Sequence, residues 1–175
     1  MPISLDNALI PQWLQVLRAG HGWIDKAEAS AIPEHDLIDA RLIDDMLPFC
    51  YQVKSMALHS LGAVEGARRG SFSPDFTDPP QTLAGLRARI DDAIAGLLAV
   101  EDGALDAIAG KDIVFEVPGR AMRLDFTVAD FLTSFSLPNF YFHASTAYGI
   151  LRMKGIDVGK RDFLGRLRLK GEAGA

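Results

Sequence analysis

Of the side chains in this sequence, histidine can do the most varied chemistry near neutral pH, and three of the four histidines, His21, His59 and His143, lie in segments with helical spacing. His143 falls in the last such segment and His59 in the second. An imidazole can exchange a proton, form hydrogen bonds or bind a metal. Asn139 precedes His143 by one helical turn and Gln52 precedes His59 by two, so each pair is predicted to share a helix face. His143, Asn139 and Gln52, together with Tyr148, form the candidate pocket.

Each of these side chains also has a purely structural interpretation. No carboxylate lies one turn from His143 to orient it, so we favour a partly buried, hydrogen-bonded histidine over a general base. Asn139 follows a proline and is predicted to bond to local backbone. Gln52 fits a central polar pocket and a solvated flank equally well. His59 is predicted to lie at the surface.

The last helical segment also carries four aromatic side chains that could surround a ligand, namely Phe140, Tyr141, Phe142 and Tyr148. Aromatic residues at helical spacing more often form a core or an interface. An exposed aromatic face would favour association of two copies of the chain. We therefore predict a homodimer, with a small-molecule ligand as the other partner.

Cys50 is the only cysteine, which excludes an intrachain disulfide. It lies on the apolar face of the second predicted helix, where a thiol behaves as a small hydrophobic group. The basic stretch GKRDFLGRLRLKG near the C-terminus could meet an anion. The sequence contains neither GxGxxG nor GxxxxGK followed by serine or threonine, so no phosphate-binding loop is predicted.

The composition is that of an ordinary globular protein, since 49% of the 175 residues are hydrophobic and 23% are charged. The formal net charge of −5 argues against a protein that binds nucleic-acid phosphates through a basic face. No apolar run reaches the roughly 18 residues of a membrane span, and the N-terminus lacks the pattern of a signal peptide. We therefore expect a cytoplasmic protein that binds neither nucleic acid nor a membrane.

Four segments have the apolar periodicity of helices. They cover approximately residues 4–31, 46–69, 82–100 and 139–154. Pro11 predicts a kink or a late start in the first helix, and Pro48 fits the first turn of the second. Four helices of this length bury their apolar stripes against each other. The predicted fold class is therefore mainly α, an antiparallel four-helix bundle.

The segment before the last helix changes to the alternation that is typical of β-strands. Residues 113–117 and 122–126 flank a turn signal at Pro118 and Gly119. We predict a short β-hairpin, at about 113–126, that packs on the bundle because a lone hairpin is marginal in water. The chain, 1–175, is predicted to be one domain with a C-terminal tail at about 165–175.

Three stretches of the sequence are distinctive: ISLDNALIPQWLQVL, ARLIDDMLPFCYQVK and PNFYFHASTAYGILRMKGIDVGKRDFLG. In these stretches, and in their order, the chain resembles a bacterial family of unknown function, DUF1993. That family is similar to the DinB/YfiT-like superfamily. The resemblance implies a four-helix bundle that is commonly dimeric. Many superfamily members bind a divalent metal through three histidines, and some are thiol-dependent transferases or isomerases.

The resemblance also implies where a metal would lie. The superfamily places one histidine in the second helix and a His-x-x-x-His pair in the last. His143 matches the second histidine of that pair, but Asn139 replaces the first, and an amide oxygen is a poor zinc ligand. Gln52 and His59 are the candidates on the second helix. The implied site is degenerate, so we expect no cofactor and disfavour a divalent metal, for which His143 and His59 are weak candidates.

Two functional hypotheses follow from the resemblance and the candidate pocket. The first is a non-catalytic DinB-like protein, a homodimer with a small-molecule pocket near His143. The alternative is a thiol-dependent transferase or another enzyme of the superfamily, with or without metal assistance, in which His143 and Gln52 position the substrate. Its catalytic residues are unknown, and the sequence leaves open whether the chain is an enzyme.

Overall fold

The computed structural model describes residues 3–170 and is mainly helical there, as predicted. Two of its long helical stretches each contain a π-helical turn. In chain order the elements are α1 (Leu5–Glu28), α2 (Glu34–Ile38), α3 (Phe49–Ala57), the first π turn (Leu58–Gly62), α4 (Ala63–Arg69), β1 (Ser71–Phe72), α5 (Leu83–Leu98), a 3₁₀ turn (Asp106–Ile108), β2 (Asp112–Glu116), β3 (Arg123–Thr127), α6 (Val128–Asp130), the second π turn (Phe131–Ser136), α7 (Leu137–Met153) and α8 (Lys160–Leu164).

Side-chain caps fix the starts of three helices. The hydroxyls of Ser4, Thr82 and Thr127 each accept a hydrogen bond from the backbone N–H three residues later, at the starts of α1, α5 and α6. Gly70 ends α4 with a φ of +76°, a left-handed conformation that favours glycine. Pro48 lies immediately before α3, outside its predicted first turn, in extended conformation.

Proline at position 11 does not delay the first helix. α1 begins at Leu5 and runs through Pro11 without interruption, so the predicted late start does not occur. Proline removes one backbone hydrogen bond. Burial of Leu9, Trp13 and Leu17 on the same helix outweighs that loss.

The four long helices, α1, α3, α5 and α7, surround a common core. α1 and α3 each pack against both α5 and α7. The large side chains at the centre are fully buried, among them Trp13, Trp23, Phe49 and Phe140. The apolar stripes read from the sequence are therefore the faces that the helices bury.

The predicted hairpin is part of a larger, mixed sheet, which corrects that prediction. β2 and β3 pair antiparallel, with Phe115 opposite Leu124, and β1 pairs parallel to β2, with Phe72 opposite Phe115. α4 lies close to β1 because Gly66 has no side chain, and a Cβ there would be 2.9 Å from the Phe72 ring. β1 is only two residues long, too short to show strand alternation in a sequence.

The chain returns to α1 after α7. Phe163 of α8 stacks on Trp23, with 5.5 Å between ring centroids, and the Trp23 indole donates a hydrogen bond to the Asp162 carbonyl. The predicted tail at about 165–175 lies partly outside the described residues. No helix within residues 3–170 is long and apolar enough to cross a membrane.

Candidate functional site

Gln52 and His143 form a hydrogen bond where α3 packs against α7. The Gln52 amide nitrogen donates to the Leu47 carbonyl at 2.8 Å, so its Oε1 is left to accept. Oε1 lies 2.7 Å from Nδ1 of His143, which must therefore carry the hydrogen and donate it. In the neutral ring the lone pair is then on Nε2. Among residues 3–170, no group hydrogen-bonds to that nitrogen.

His59 packs directly against His143. The two rings are nearly parallel, at an angle of 17°, with 5.6 Å between centroids. His59 is 8% exposed, so its predicted surface position is wrong. Its ring is covered by Phe72 from β1 and by Phe135 from the second π turn.

Both helices that carry these histidines contain a π turn at the cluster. His59 lies within the first π turn, and Ser136 is the last residue of the second. The Ser136 hydroxyl donates to the His59 carbonyl at 2.9 Å, and so joins the two turns. Pro138 follows at the start of α7, as expected for a residue without an N–H. Single π turns occur frequently at functional sites.

Burial keeps both imidazoles neutral near pH 7. It lowers the pKa of His143 to about 4. It also lowers the pKa of His59, and the charge of a protonated His143 adds to this effect, so that the value is about 3. An imidazole that stays neutral keeps a lone pair that can accept a hydrogen bond, whereas one with so low a pKa is a weak base. The cluster therefore suits acceptance of a hydrogen bond better than proton transfer.

The remaining residues of the candidate pocket lie apart from this hydrogen bond. The Asn139 amide donates to the Phe135 carbonyl at 2.7 Å, the local backbone bond that we favoured from sequence. Tyr148 packs against Trp23 and Phe163, in the contact between α1 and α8. The structure thus brings together His143, Gln52 and His59, and leaves Tyr148 in a different cluster.

Ser136 is the cluster residue that the sequence analysis missed. It precedes His143 by seven residues, two helical turns, which is a spacing that could have identified it.

The aromatic residues of the last helical segment differ in burial: Phe140 is buried, whereas Phe142 is exposed. Cys50 is buried, and burial raises the pKa of its thiol, in agreement with a structural role.

The cluster holds two of the three histidines that the sequence resemblance implies for a metal site, with Asn139 in place of the third. The rings of His59 and His143 lie nearly parallel, with 5.6 Å between their centroids, and the Asn139 amide nitrogen is bonded to backbone. Within residues 3–170, no group of three or more histidine, cysteine, aspartate or glutamate side chains is arranged to hold a metal ion. Zinc sites in proteins use at least three such ligands.

Comparison with known proteins agrees with the fold. The model of a family described as a domain of unknown function, DUF1993, matches residues 5–164, which include both histidine-bearing helices. The crystal structure of a DinB family member protein from Shewanella denitrificans is similar, with a TM-score of 0.80, 30% identity and 96% of each chain covered. No curated protein matches the chain. The chain belongs to the DUF1993 family and is DinB-like in structure.

Proposed function

We propose that this protein is an antiparallel, DinB-like four-helix bundle that binds a small molecule at His143 and has a degenerate metal site. The supporting observation is the 2.7 Å hydrogen bond between Gln52 and His143, which directs the lone pair of a neutral imidazole away from Gln52. His143 is only partly buried, so a ligand can reach it. A fixed, neutral acceptor suits a ligand that donates a hydrogen bond, such as an alcohol, a phenol or an amide.

Nuclear magnetic resonance of nitrogen-15-labelled histidines tests this proposal. Nε2 of His143 should be unprotonated at pH 7, and phenol, a small alcohol or a small amide should shift its resonance saturably. The shift should be absent in His143→Phe. His35→Gln is the control, because that side chain is 78% exposed on α2. Equal shifts at all four histidines, or none at His143 with any of the three compounds, would contradict the proposal.

Loss of the metal site is tested by a separate titration. Zinc added to tag-free, chelator-treated protein should show no stoichiometric site, because the cluster offers only two imidazoles and no third ligand among the described residues. The proposal fails if one zinc binds per chain and is lost in both His59→Phe and His143→Phe. Zinc binding that survives both substitutions would place the metal elsewhere and leave this site degenerate.

The protein is further proposed to be a homodimer that associates through α7. Phe142 and Met153 are 55% and 51% exposed and lie three turns apart, on one face of that helix. Light scattering at micromolar concentration should report about twice the chain mass of 19.0 kDa. A strictly monomeric protein would contradict this part of the proposal.

A thiol-dependent transferase is the alternative, because the same rigid pair of Gln52 and His143 could position a substrate. A screen of thiol conjugates separates the two functions. Turnover that His143→Ala abolishes, while the variant still folds, would favour the enzyme. No turnover, or turnover that His143→Ala leaves unchanged, would count against a catalytic role for His143.

A further inference from the structure

A cleft of about 670 Å³ lies beside the first π turn (Leu58–Gly62). Its walls come from α4, α5, the sheet and the turn between β2 and β3. Leu58 and Gly62 of the π turn line it, but His59, His143 and Gln52 do not. The cleft is therefore distinct from the histidine cluster, and its volume is in the range of small-molecule sites.

The cleft lining carries more basic than acidic side chains. Its charged lining residues are Arg69, Arg89, Arg120, Arg123, Glu65 and Glu116. Arg123 is paired with Glu116 and Asp125, and Arg89 lies 4.0 Å from Asp75, so the unpaired positive charge of the lining is that of Arg69 and Arg120. Such a local excess of positive charge attracts anions.

Two of these arginines are available to a ligand. Arg123 donates to the carboxylates of Glu116, at 2.7 Å, and Asp125, at 2.8 Å. By contrast, the side chains of Arg69 and Arg120 make no hydrogen bond or ion pair with any residue of 3–170. A free guanidinium can bind a carboxylate or a phosphate through two parallel hydrogen bonds.

Apolar side chains also line the cleft. Phe72 and Val114 line it from the sheet, and Val117, Pro118 and Met122 from the turn. An inorganic ion would leave this surface uncovered, whereas a ligand with an apolar part would remove it from water. The lining therefore favours an organic anion over a bare one.

We propose that this cleft binds a small organic anion, whose carboxylate or phosphate is held by Arg69 and Arg120 and whose apolar part packs on Phe72 and Met122. This site goes beyond the function proposed above, because its lining includes neither His143, Gln52 nor His59, although Phe72 contacts both the cleft and the His59 ring. The proposal requires both a charge and an apolar group on the ligand, and each requirement can be tested separately.

Calorimetric titration with four probes tests these two requirements. Phenyl phosphate or benzoate should bind saturably, and the tighter of the two identifies the preferred anion. Benzyl alcohol, which lacks the charge, and inorganic phosphate, which lacks the apolar group, should each bind at least about tenfold more weakly. Equal affinity of benzyl alcohol, or no saturable binding of either organic anion, would overturn the proposal.

Two neighbouring arginines provide a matched test of the location. Arg69→Gln should weaken binding of the preferred anion by about tenfold, since it removes a charge-assisted hydrogen bond. Arg68→Gln removes the same charge one residue earlier on α4, outside the cleft lining, and should leave the affinity within about twofold. Equal weakening in both variants would indicate general attraction to a basic surface and would overturn the proposed site.

Methionine methyl resonances give a readout that does not depend on a substitution. The methyl group of Met122 lies in the cleft and should shift with the same affinity that calorimetry gives. The methyl group of Met153, exposed on α7, should not shift. Binding that moves Met153, or that leaves Met122 unchanged, would place the anion elsewhere and contradict the proposal.

Discussion

The contact between α1 and α5 and the contact between α3 and α7 are built on different principles. α1 and α5 are regular helices, and apolar groups meet between them, as where Gly20 faces the Ile90 side chain. The helix that continues α3 and the one that leads into α7 each contain a π turn. Between them lie Gln52, His59 and His143. Polar pairs of the first contact lie at its edge, whereas the second contact also buries hydrogen bonds between individual side chains.

Removing polar groups from water costs free energy, so the α3–α7 contact stabilises the fold less than an apolar contact of the same area would. The Gln52 amide and the Ser136 hydroxyl are nevertheless satisfied: Gln52 bonds to both Leu47 and His143, and Ser136 donates to the His59 carbonyl. A satisfied polar network fixes side chains in single orientations. This fixed orientation distinguishes the α3–α7 contact as a candidate ligand site.

The largest expected effect on stability is at the apolar contact. Ile90→Ala should lower the free energy of unfolding by about 3 kcal/mol, because it removes a side chain that is 1% exposed. Leu98→Ala, on the same helix at a position that is 59% exposed, should change it by less than about 0.5 kcal/mol. Urea denaturation measures both. The His143 resonances should be the same in folded Ile90→Ala as in the unmodified protein; a changed His143 tautomer would show that the two contacts are coupled.

A smaller loss of stability, with a chemical signature, is expected at the polar contact. Gln52→Leu should cost about 2 kcal/mol, since the Nδ1–H of His143 and the Leu47 carbonyl both lose a partner. His143 should then no longer be held in one tautomer, which nitrogen-15 resonances report.

Gln52→Glu is the matched control for that variant. A glutamate keeps the acceptor for Nδ1–H and, as an anion, should raise the pKa of His143 from about 4. An unchanged tautomer in Gln52→Leu, or an unchanged pKa in Gln52→Glu, would show that Gln52 does not set the state of His143.

The α1–α5 contact, between two regular helices, is also the part of the fold that the sequence predicts best. The long helices and most of their buried apolar side chains follow from local spacing, since each depends on residues within a few turns. β1 and the burial of His59 could not be predicted in this way. Phe72, which covers His59, belongs to a two-residue strand whose partner lies far along the chain. Local spacing carries no information on such contacts.

Acidification should weaken the α3–α7 contact, which contains His59 and His143, more than the α1–α5 contact. The pKa values of about 3 for His59 and about 4 for His143 lie below the ordinary value of 6.5. As the pH falls below 6.5, the two histidines take up protons in the unfolded chain before they do so in the folded protein. The free energy of unfolding is therefore at its full value above pH 6.5 and decreases towards pH 4.

The resulting slope can be measured by urea denaturation at several pH values. Between about pH 6 and pH 5, each of the two histidines should lower the free energy of unfolding by about 1 kcal/mol per pH unit. His143→Gln should reduce the slope, and His35→Gln, at an exposed position, should not. A slope that is identical in His143→Gln and the unmodified protein would mean that His143 is not held neutral by burial.

The smallest expected effect concerns the charges at the edge of the apolar contact. Arg87 of α5 donates to Asp25, at 2.7 Å, and to Glu28, at 2.9 Å, both on α1. These carboxylates are largely exposed, and water and salt screen such pairs. Arg87→Gln should therefore cost about 0.5 kcal/mol at low ionic strength, and this difference should disappear in about 1 M salt. A loss above about 2 kcal/mol that salt does not change would show that the α1–α5 contact also depends on specific polar bonds, which would remove the contrast with the α3–α7 contact.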